Sequence, residues 1–280
     1  MSIMPTDAAT VMLLRSCRDA GVTDIEVLLV QRNEKSHFVP GYYVFPGGAL
    51  EAEDYGSGVD RFVRGINRNE AQQIISDMSS PAKSLGAWVA GIRETFEEVG
   101  ILIAQKENSA AAAIRTEGDC KQFCDYRKAL LAGKINFFQI LAEEGLVLPL
   151  DRLYYFSHWI TPELLPIRYD VRFFVTEVPA NQMAVPDDVE LTGHCWLRPC
   201  VALEQYEQGQ IGMVLPQIMT LMEISRFRKV EEVIASARKI NVPANLTKIL
   251  QIDGREVEVM PDGSVFETRP PSYSWPDEEK

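Results

Sequence analysis

Three glutamates at helical spacing are the residues of this sequence best placed for chemistry. Glu94, Glu97 and Glu98 stand at positions i, i+3 and i+4, which puts their carboxylates on one face of a helix. Like charges so placed destabilise a helix, and Arg93 is the one neighbour that can relieve them, by pairing with Glu97. A hard divalent cation would also neutralise this face, since Mg²⁺ binds carboxylates together with water and phosphate oxygens. A solvated acidic surface is the alternative.

A glycine pair and one acidic residue precede this helix in the chain. Five residues separate Gly47-Gly48 from Asp54, and residues 93–101 read Arg-Glu-Thr-Phe-Glu-Glu-Val-Gly-Ile. Together they resemble the Nudix box, which runs Gly, five residues, Glu, seven residues, Arg-Glu-apolar-x-Glu-Glu-x-Gly-apolar. Three features depart from that pattern. Asp54 replaces the first Glu, Thr95 stands at an apolar position, and residues 55–92 fill the place of seven residues.

The resemblance implies a fold and a metal. Nudix hydrolases adopt an α+β fold in which helices sandwich a mixed β-sheet, and here helical insertions and a C-terminal extension would be added to it. The family holds a divalent cation against a diphosphate. The resemblance therefore implies Mg²⁺ or Mn²⁺, bound by Glu94, Glu97 and Glu98 with a loop carbonyl of Gly48. The long segment between loop and helix leaves the carboxylate face intact, whereas the role of Asp54 stays open.

The resemblance also implies roles for individual residues. In such a site the metal polarises a phosphoanhydride and lowers the pKa of a bound water, which attacks phosphorus. We take Glu94 as the first choice of general base and Glu190 as the second, because the family recruits this residue from different places. Arg93 is expected to orient Glu97 or Glu94 rather than to contact the substrate.

Glu190 follows a short acidic loop that precedes a strand. Many Nudix enzymes place an extra acid near the metals in this loop, which here reads Pro-Asp-Asp-Val-Glu over residues 186–190. Turn capping is the competing role for Asp187 and Asp188, and we favour it for one of them.

The segment before the glycine pair is similar to that of Nudix coenzyme A diphosphatases. Residues 28–33 read Leu-Leu-Val-Gln-Arg-Asn, and His37, Gly41 and a Phe-Pro-Gly-Gly run follow at the family's spacing. Arg32 offers a planar fork for a phosphate, and His37 would add a pH-dependent donor. With Gly47 of the glycine loop, they are the substrate-binding residues that the resemblance implies here. The interrupted box also resembles the peroxisomal branch of these enzymes.

Two aromatic segments downstream resemble the strands that wall the substrate cleft in that branch. They are His-Trp-Ile-Thr-Pro at residues 158–162 and Arg-Tyr-Asp-Val-Arg-Phe-Phe at residues 168–174. Trp159 and Tyr169 are expected to stack on a base, and Arg168 or Arg172 to meet phosphates. Since alternate residues of a strand face inward, part of these aromatics must instead be core.

The remaining sequence predicts the elements that position these residues. Strands are predicted at 8–15, 25–32, 153–160 and 168–178, and the spacing of Trp88, Ile92, Phe96 and Val99 predicts an amphipathic helix over 85–99 that ends at Gly100. Residues 109–145 and 213–239 are helical in character, and Asp253-Gly254 predicts a late hairpin. This order of elements is that of an α+β protein. We expect a single domain over 1–268, with helical segments at about 55–85 and 105–150, and a flexible tail over 269–280.

The composition is that of an ordinary globular chain. Its 280 residues carry 40 Asp or Glu against 28 Lys or Arg, a formal net charge of -12, and 46% are hydrophobic. An acidic protein repels nucleic acids and anionic lipids, so neither a nucleic-acid polymer nor a membrane is the expected partner. Five cysteines are an odd number for a disulfide framework. With no signal or spanning segment near the start, we expect a cytoplasmic protein.

The function implied by the resemblance is hydrolysis of a small nucleotide at its diphosphate. Coenzyme A or an acyl-coenzyme A is the first substrate, giving 3',5'-ADP and a phosphopantetheine product. ADP-ribose or NADH pyrophosphatase activity is the first alternative. A non-catalytic nucleotide-binding module is the second, although the intact face of Glu94, Glu97 and Glu98 argues against it. The oligomeric state, with a homodimer among the options, stays open.

Overall fold

A computed structural model describes residues 3–19, 22–36, 38–108, 113–187, 189–239 and 241–267. The strands are β1 (Thr6–Asp19), β2 (Val22–Arg32), β3 (Tyr43–Val44), β4 (Gly47–Ala49), β5 (Val63–Arg64), β6 (Gln105–Lys106), β7 (Leu146–Pro149), β8 (Tyr154–Ile160), β9 (Tyr169–Glu177), β10 (Leu191–Leu197), β11 (Ala244–Leu246), β12 (Lys248–Ile252), β13 (Arg255–Val259) and β14 (Val265–Glu267). The helices are α1 (Arg68–Ile74), α2 (Pro81–Val99), α3 (Glu117–Leu131), α4 (Phe137–Glu143), α5 (Pro199–Glu207), α6 (Leu215–Ile224) and α7 (Val230–Ala237). The predicted tail at 269–280 lies outside the described residues.

A mixed sheet forms the centre of the molecule. Its strand order is β10-β2-β1-β9-β8-β11, with β3 added to β2 and β4 added to β1. The pairs β1–β9 and β8–β11 are parallel, and the other pairs are antiparallel. The register of β4 on β1 opposes Gly48 to Ala9, so the glycine pair lies on the sheet itself.

Alternating side chains of the central strands supply two cores, one on each face. In β1, Val11 and Leu13 belong to the core on the α2 side, whereas Met12 and Leu14 belong to the other core with residues of α6 and α7. This alternation follows from the two-residue period of a strand whose two faces are both covered. Helices therefore cover both faces of a mixed sheet, and the predicted α+β class is confirmed.

Helix α2 carries the acidic face and is anchored at both ends. It begins at Pro81, whose missing N–H costs nothing at a helix start, and the Ser80 hydroxyl accepts the N–H of Lys83. It ends at Gly100, which takes the left-handed conformation at φ 71°. The predicted helix at 85–99 is correct in type and end but begins four residues too late, because its first turn is defined by the cap and not by apolar periodicity.

The segment between the glycine loop and α2 is only partly helical. Residues predicted as a helical insertion form two short 3₁₀ turns at Ala52–Tyr55 and Val59–Phe62, the strand β5 and the helix α1. Strand β5 joins β7 and β6 in a small second sheet, and β12, β13 and β14 form a third. The predicted hairpin around Asp253-Gly254 is the β12–β13 pair. Among the described helices, none is both long and apolar enough to cross a bilayer.

Candidate active site

Arg93 organises the acidic face of α2. Its Nη1 donates to Glu94 Oε1 at 2.9 Å and to Glu97 Oε2 at 3.0 Å, so one guanidinium neutralises two of the three carboxylates. The same guanidinium is buried, with its side chain 5% exposed. Arg93 lies behind the face and holds its carboxylates.

Asp54 is the second partner of Arg93. Its two carboxylate oxygens accept Arg93 Nε and Nη2, each at 2.9 Å, and the Asp54 side chain is fully buried. This bidentate geometry is the strongest form of an arginine–carboxylate contact. Asp54 Oδ2 also accepts the N–H of Glu51 at 2.8 Å. The acid that replaces the first Glu of the box thus ties the turn after the glycine loop to α2.

Glu98 faces the glycine loop. Its Oε2 accepts the N–H of Gly47 at 2.9 Å, and the residue is 5% exposed. Burial raises the pKa of Glu98 well above its usual value, and the charge of Glu94 raises it further, whereas the Gly47 hydrogen bond and Arg32 lower it. A buried carboxylate with these neighbours lacks a full countercharge.

Glu94 packs directly on Gly48. A Cβ at Gly48 would lie 2.5 Å from the carboxylate carbon of Glu94, so only glycine allows this approach. Burial raises the pKa of Glu94 to about 7, and the charge of Arg93 works against that shift. Burial likewise raises the pKa of Glu97. All three carboxylates are therefore held where their ionised forms are disfavoured.

Two further side chains, one within the box and one from α3, complete the support of α2. The hydroxyl of Thr95, at the position where the box has an apolar residue, donates to Gly91 O at 2.7 Å and so is satisfied within the helix. Arg127 of α3 donates to Glu97 O at 2.8 Å and to Glu98 O at 2.6 Å. A cation at the last carbonyls of a helix is stabilising. The sequence held no signal for the Arg127 contact, because it is tertiary.

A cavity of about 380 Å³ lies beside this face. Its wall combines carboxylates of α2, the glycine loop, aromatic residues of several strands and loops, and polar residues of the C-terminal part. The lining residues include Arg32, Phe38, Gly47, Gly48, Glu94, Glu97, Trp159, Tyr169, Glu190, Gln217, Thr247 and Glu258. The glycine loop and the acidic face therefore open onto one compartment large enough for part of a dinucleotide.

Of the upstream substrate-binding residues, the structure brings Arg32 to the cavity. Its Nε donates to Phe38 O at 3.0 Å, which holds the side chain at the cavity wall. Gly47 lines the cavity too, with its N–H given to Glu98. His37, the third of them, lies outside the described residues.

Glu190 lines the same cavity, near enough to Glu98 to raise its pKa. The loop before it is held by Asp187, whose Oδ1 accepts the N–H groups of Val189, Glu190 and Leu191 at 2.9–3.1 Å. Asp187 therefore has the turn-capping role, and Asp188 lies outside the described residues. The loop presents Glu190 to the compartment that holds Glu94.

Trp159 and Tyr169 both line the cavity, with unequal exposure. Trp159 is 5% exposed, belongs to the core on the α6 side, and donates its indole N–H to Ser157 at 3.1 Å. Tyr169 is half-buried and packs edge-on against Phe38, with ring centroids 5.3 Å apart. Tyr169 and Phe38 thus form the more open aromatic surface.

The structure does not place Arg168 at the cavity, where a phosphate contact was predicted. Arg168 is 6% exposed and donates to the backbone carbonyls of Thr161 at 3.0 Å and Ile3 at 2.5 Å. Arg172, its alternative, is 1% exposed and pairs with Asp77 at 3.0 Å and with Asp170 at 2.8 Å. Neither is among the described residues that line the cavity. Strand periodicity did not distinguish these inward guanidinium groups from outward ones.

The donor set of this site fits a hard divalent cation. Glu94, Glu97 and Glu98 offer carboxylate oxygens beside the carbonyls of a glycine loop, which is the chemistry that Mg²⁺ and Mn²⁺ prefer. Burial raises the pKa values of all three carboxyl groups, and a bound cation would supply an opposite charge that favours their ionised forms. Within the described part of the chain, no three acids, histidines or cysteines already converge as a ligand set. Arg93 holds Glu94 and Glu97 instead, so ligation requires these side chains to turn from it.

Three cavity residues were missed from the sequence. Gln217 comes from α6, Thr247 from the link between β11 and β12, and Glu258 from β13. A lone Glu, Gln or Thr in an amphipathic segment has no spacing that marks it as functional. The pairing of β11 with β8, which opposes Asn245 to Trp159, lies next to Thr247 and is a long-range contact that no local pattern specifies.

The α+β sandwich, the glycine loop and the acidic helix define the Nudix class of proteins. A solved structure agrees: the Nudix hydrolase from Alicyclobacillus acidocaldarius aligns with a TM-score of 0.66 at 24% identity, covering 83% of this chain and 96% of that one. Residues 6–227 match the model of the NUDT19 Nudix domain. The chain therefore belongs to the NUDT19 Nudix domain family.

Three curated relatives share one name. The acyl-coenzyme A diphosphatase NUDT19 of Xenopus laevis is 28% identical over 239 residues, and that of Homo sapiens is 23% identical over 232 residues. These alignments cover 75% and 74% of this chain and 62% of each relative. The Gallus gallus protein of the same name is 26% identical over 265 residues, with 81% of this chain and 69% of that protein covered. The chain thus spans less than two thirds of the frog and human proteins.

Proposed function

We propose that this protein is a metal-dependent hydrolase that cleaves the diphosphate of coenzyme A or an acyl-coenzyme A. The observation that carries the proposal is the arrangement of Glu94 and Glu97 beside Gly47 and Gly48 at one cavity, with Glu98 held against the same loop by the Gly47 N–H. The names of the relatives support the choice of substrate class. The products would be 3',5'-ADP and a phosphopantetheine or acyl-phosphopantetheine.

The proposal assigns Mg²⁺ or Mn²⁺ to Glu94, Glu97, Glu98 and the Gly48 carbonyl. When bound, such an ion supplies charge neutralisation and Lewis-acid polarisation to the diphosphate. Gly47 holds Glu98 through its N–H, and Arg93 holds the α2 carboxylates from behind. The Gly47 contact holds Glu98 before the substrate arrives, whereas Glu94 and Glu97 would exchange their bonds to Arg93 for the ion.

In the reaction, water attacks one phosphorus and the anhydride P–O bond breaks. Glu94 is the first choice for the base that accepts the proton, because its carboxylate lies against Gly48 at the cavity. Glu190 is the second, because it lines the same cavity from the opposing loop. The two phosphate groups leave as separate products, so one water is consumed for each bond broken.

Recognition of the anionic substrate must come from local cations, because a net charge of -12 gives no favourable long-range field. Arg32 is the cation at the cavity wall, held there by its hydrogen bond to Phe38 O. Tyr169 offers a ring for the base beside it. We assign the phosphate contact to Arg32 and the stacking contact to Tyr169. Trp159, which is more buried, lines the same cavity.

The test is a comparison of substrates under one set of conditions. The protein is incubated with Mg²⁺ or Mn²⁺ and equal concentrations of coenzyme A, dephospho-coenzyme A, ADP-ribose or NADH, and products are identified by mass spectrometry. We expect 3',5'-ADP from coenzyme A and the highest kcat/KM for it. A higher kcat/KM for ADP-ribose or NADH would contradict the substrate, and binding without turnover would contradict catalysis.

The contact of Arg32 is tested in the same assay. Arg32→Ala should raise KM for coenzyme A roughly tenfold, the effect of losing one charged hydrogen bond that solvent partly screens. Arg115→Ala is the matched control, because Arg115 is exposed and lies outside the cavity lining. Unchanged coenzyme A kinetics in Arg32→Ala would remove Arg32 from the substrate site.

We also propose a reducing compartment, the cytoplasm, for this protein. The cysteines at positions 17, 120, 124, 195 and 200 are all free in the structure. Three of them are exposed, and exposed thiols persist where the surroundings are reducing. Labelling of accessible thiols in cell extract, without prior reduction, would detect them.

A further inference from the structure

Val39, between β2 and β3, adopts a backbone conformation that its residue type disfavours. Its φ is 41°, in the left-handed region, where a β-branched residue is an outlier. Pro40 follows it, and a residue before proline is biased further towards extended backbone. A conformation of this kind persists where the surrounding structure holds it, and such residues cluster at ligand sites.

The side chain of Val39 is anchored in a small apolar cluster at the cavity. Val39 is 3% exposed and packs with the buried residues Tyr42 and Val214, and Phe38 and Val44 pack against this cluster. Val39 and Val214 also line the cavity. The backbone is held as well, because the Tyr42 N–H donates to Val39 O at 3.3 Å. The direction of the Val39 side chain is therefore fixed by packing.

The peptide group that precedes Val39 holds Arg32. The oxygen of that group is Phe38 O, which accepts Arg32 Nε at 3.0 Å. The ring of the same phenylalanine packs edge-on against Tyr169. Phe38 therefore contacts both the side chain proposed for the phosphate and the ring proposed for the base.

The φ angle of Val39 connects these two sets of contacts. This angle is the rotation about the N–Cα bond, which joins the planar peptide group carrying Phe38 O to the Cα carrying the anchored side chain. With the side chain fixed, a change from positive to negative φ would turn the Phe38 carbonyl away from Arg32. The hydrogen bond to Arg32 thus depends on the disfavoured angle, and the burial of Val39 against Tyr42 and Val214 offsets the cost of that angle.

We propose that Val39 is a positioning residue whose anchored, left-handed backbone directs the Phe38 carbonyl to Arg32 and so holds the guanidinium at the cavity wall. The inference rests on the proposed function in that Arg32 is the contact to the substrate phosphate. A guanidinium that is held before the substrate arrives loses less conformational freedom on binding. A residue without a polar side chain thus contributes to the recognition of an anion.

Two substitutions separate backbone orientation from packing. Val39→Gly removes the whole side chain but allows a positive φ at no steric cost, whereas Val39→Ala keeps more of the packing and disfavours a positive φ. A role in packing alone makes glycine the more harmful change, and a role through φ makes alanine the more harmful one. Val233→Ala is the matched control, because Val233 is buried on α7 and lies outside the cavity lining. Thermal unfolding verifies that each variant is folded.

The position of Arg32 is measured first without a ligand. NMR spectroscopy follows the hydrogen exchange of the Arg32 Nε–H group, whose signal is assigned by its loss in Arg32→Ala. We expect slow exchange in wild type and in Val233→Ala, faster exchange in Val39→Gly and the fastest exchange in Val39→Ala. Faster exchange in Val39→Gly than in Val39→Ala, or the wild-type rate in both, would overturn the inference.

Binding of coenzyme A then tests the consequence for recognition. Isothermal titration in EDTA should show a Kd raised about fivefold or more in Val39→Ala, because the conformation that binds is less populated, and a smaller change in Val39→Gly. In an Arg32→Ala background both substitutions should leave Kd unchanged, since they act through the same guanidinium. Undiminished weakening in that background would contradict the positioning role.

The two measurements distinguish this inference from the proposed function. Ordered exchange rates in a protein that does not hydrolyse coenzyme A when Mg²⁺ is added would keep Val39 as the residue that holds Arg32 and reject the proposed function. Hydrolysis of coenzyme A without the expected order of exchange rates would keep the proposed function and reject the role of Val39.

Discussion

Asp54, which replaces the first Glu of the box, has a structural role through its contact with Arg93. Asp54 stands where the box has Glu, and its shorter side chain reaches Arg93 in a fully buried bidentate pair. The same guanidinium holds Glu94 and Glu97. Asp54 therefore acts on the acidic face through Arg93 and does not itself reach the cavity lining among the described residues.

Asp54→Asn should destabilise the fold. It leaves Arg93 buried with its charge undercompensated, and breaking a buried pair in this way costs about 3 kcal/mol or more in the free energy of unfolding. Urea unfolding followed by circular dichroism measures the change. Glu53→Gln, at the exposed neighbouring position, should stay within about 0.5 kcal/mol of wild type. Equal stability of Asp54→Asn and wild type would show that the pair does not hold the turn to α2.

The site residues that could be predicted are those whose spacing carries chemistry. Glu94, Glu97 and the glycine loop meet at one cavity, and Glu98 bonds to that loop, as helical spacing and the motif predicted. Arg168 was expected at the cavity, but it lies elsewhere. Alternate residues of a strand face opposite sides of a sheet, and the sequence does not say which side faces a cavity. Glu258 was missed because its position depends on which strands pair, a long-range property with no local signal.

Among the elements, the segment before α2 is joined to the sheet by a cluster of charges in which exposed Asp77 meets the buried side chains of His158 and Arg172. Asp77 accepts from Arg172 of β9 at 3.0 Å and lies 3.3 Å from His158 Nδ1 on β8. His158 Nε2 contacts Asp170 Oδ1 at 2.5 Å, and Arg172 pairs with the same oxygen at 2.8 Å. Asp7 of β1 adds a contact to Arg172 at 3.5 Å. This cluster bonds three strands to the inserted segment.

The cluster predicts a loss of stability in acid. Burial alone would raise the pKa of Asp170, but the His158 hydrogen bond and the charge of Arg172 outweigh it and lower the pKa below 3.8. A carboxyl whose pKa is lower in the folded state stabilises the fold above its unfolded pKa, and this stabilisation is lost as pH falls through the folded pKa. Wild-type stability should therefore fall as pH drops below about 4, while Asp170→Asn shows a flatter acid limb.

Urea midpoints measured from pH 3 to pH 7 check this. At pH 7, Asp170→Asn should lose about 2 kcal/mol, the size of a hydrogen bond to a charged group. Asp125→Asn, an exposed change on α3, serves as the control and should follow the wild-type curve. Parallel acid limbs for Asp170→Asn and wild type would mean that another carboxylate dominates.

The types of most elements were predictable, but their partners were not. The strand-like residue patterns predicted β1, β2, β8 and β9, and the spacing of apolar residues predicted α2. The short helix α5 was not predicted, and its weak amphipathic pattern explains why. The parallel pairing of β1 with β9 joins residues more than a hundred positions apart, and no local pattern specifies such a pair.

For the molecule as a whole, we expect metal binding to increase the stability of the folded state. An ion that binds only the folded acidic face adds stability by mass action, about 2.7 kcal/mol at a concentration of 100 Kd. The melting temperature should rise with Mg²⁺ or Mn²⁺ and fall back when EDTA is added. Sodium chloride at matched ionic strength should not reproduce the rise.

Neutralising the acidic face locates that response. A triple variant with Gln at Glu94, Glu97 and Glu98 removes both the mutual repulsion and the ligands, so its melting temperature should no longer depend on the metal. Differential scanning fluorimetry of both proteins across a metal titration makes the comparison. A triple variant that still responds like wild type would place the metal at another site.

Hydrolysis is proposed to depend on the acidic face of α2. Turnover by single variants of that face tests this dependence most simply. Release of 3',5'-ADP from coenzyme A is followed for Glu97→Gln and Glu98→Gln, with Glu231→Gln as the control at an exposed position of α7. Each active-site change should lower kcat/KM by about two orders of magnitude or more, because it removes one electrostatic contribution to the transition state, whereas Glu231→Gln should match wild type. Full turnover by either folded α2 variant would contradict the account.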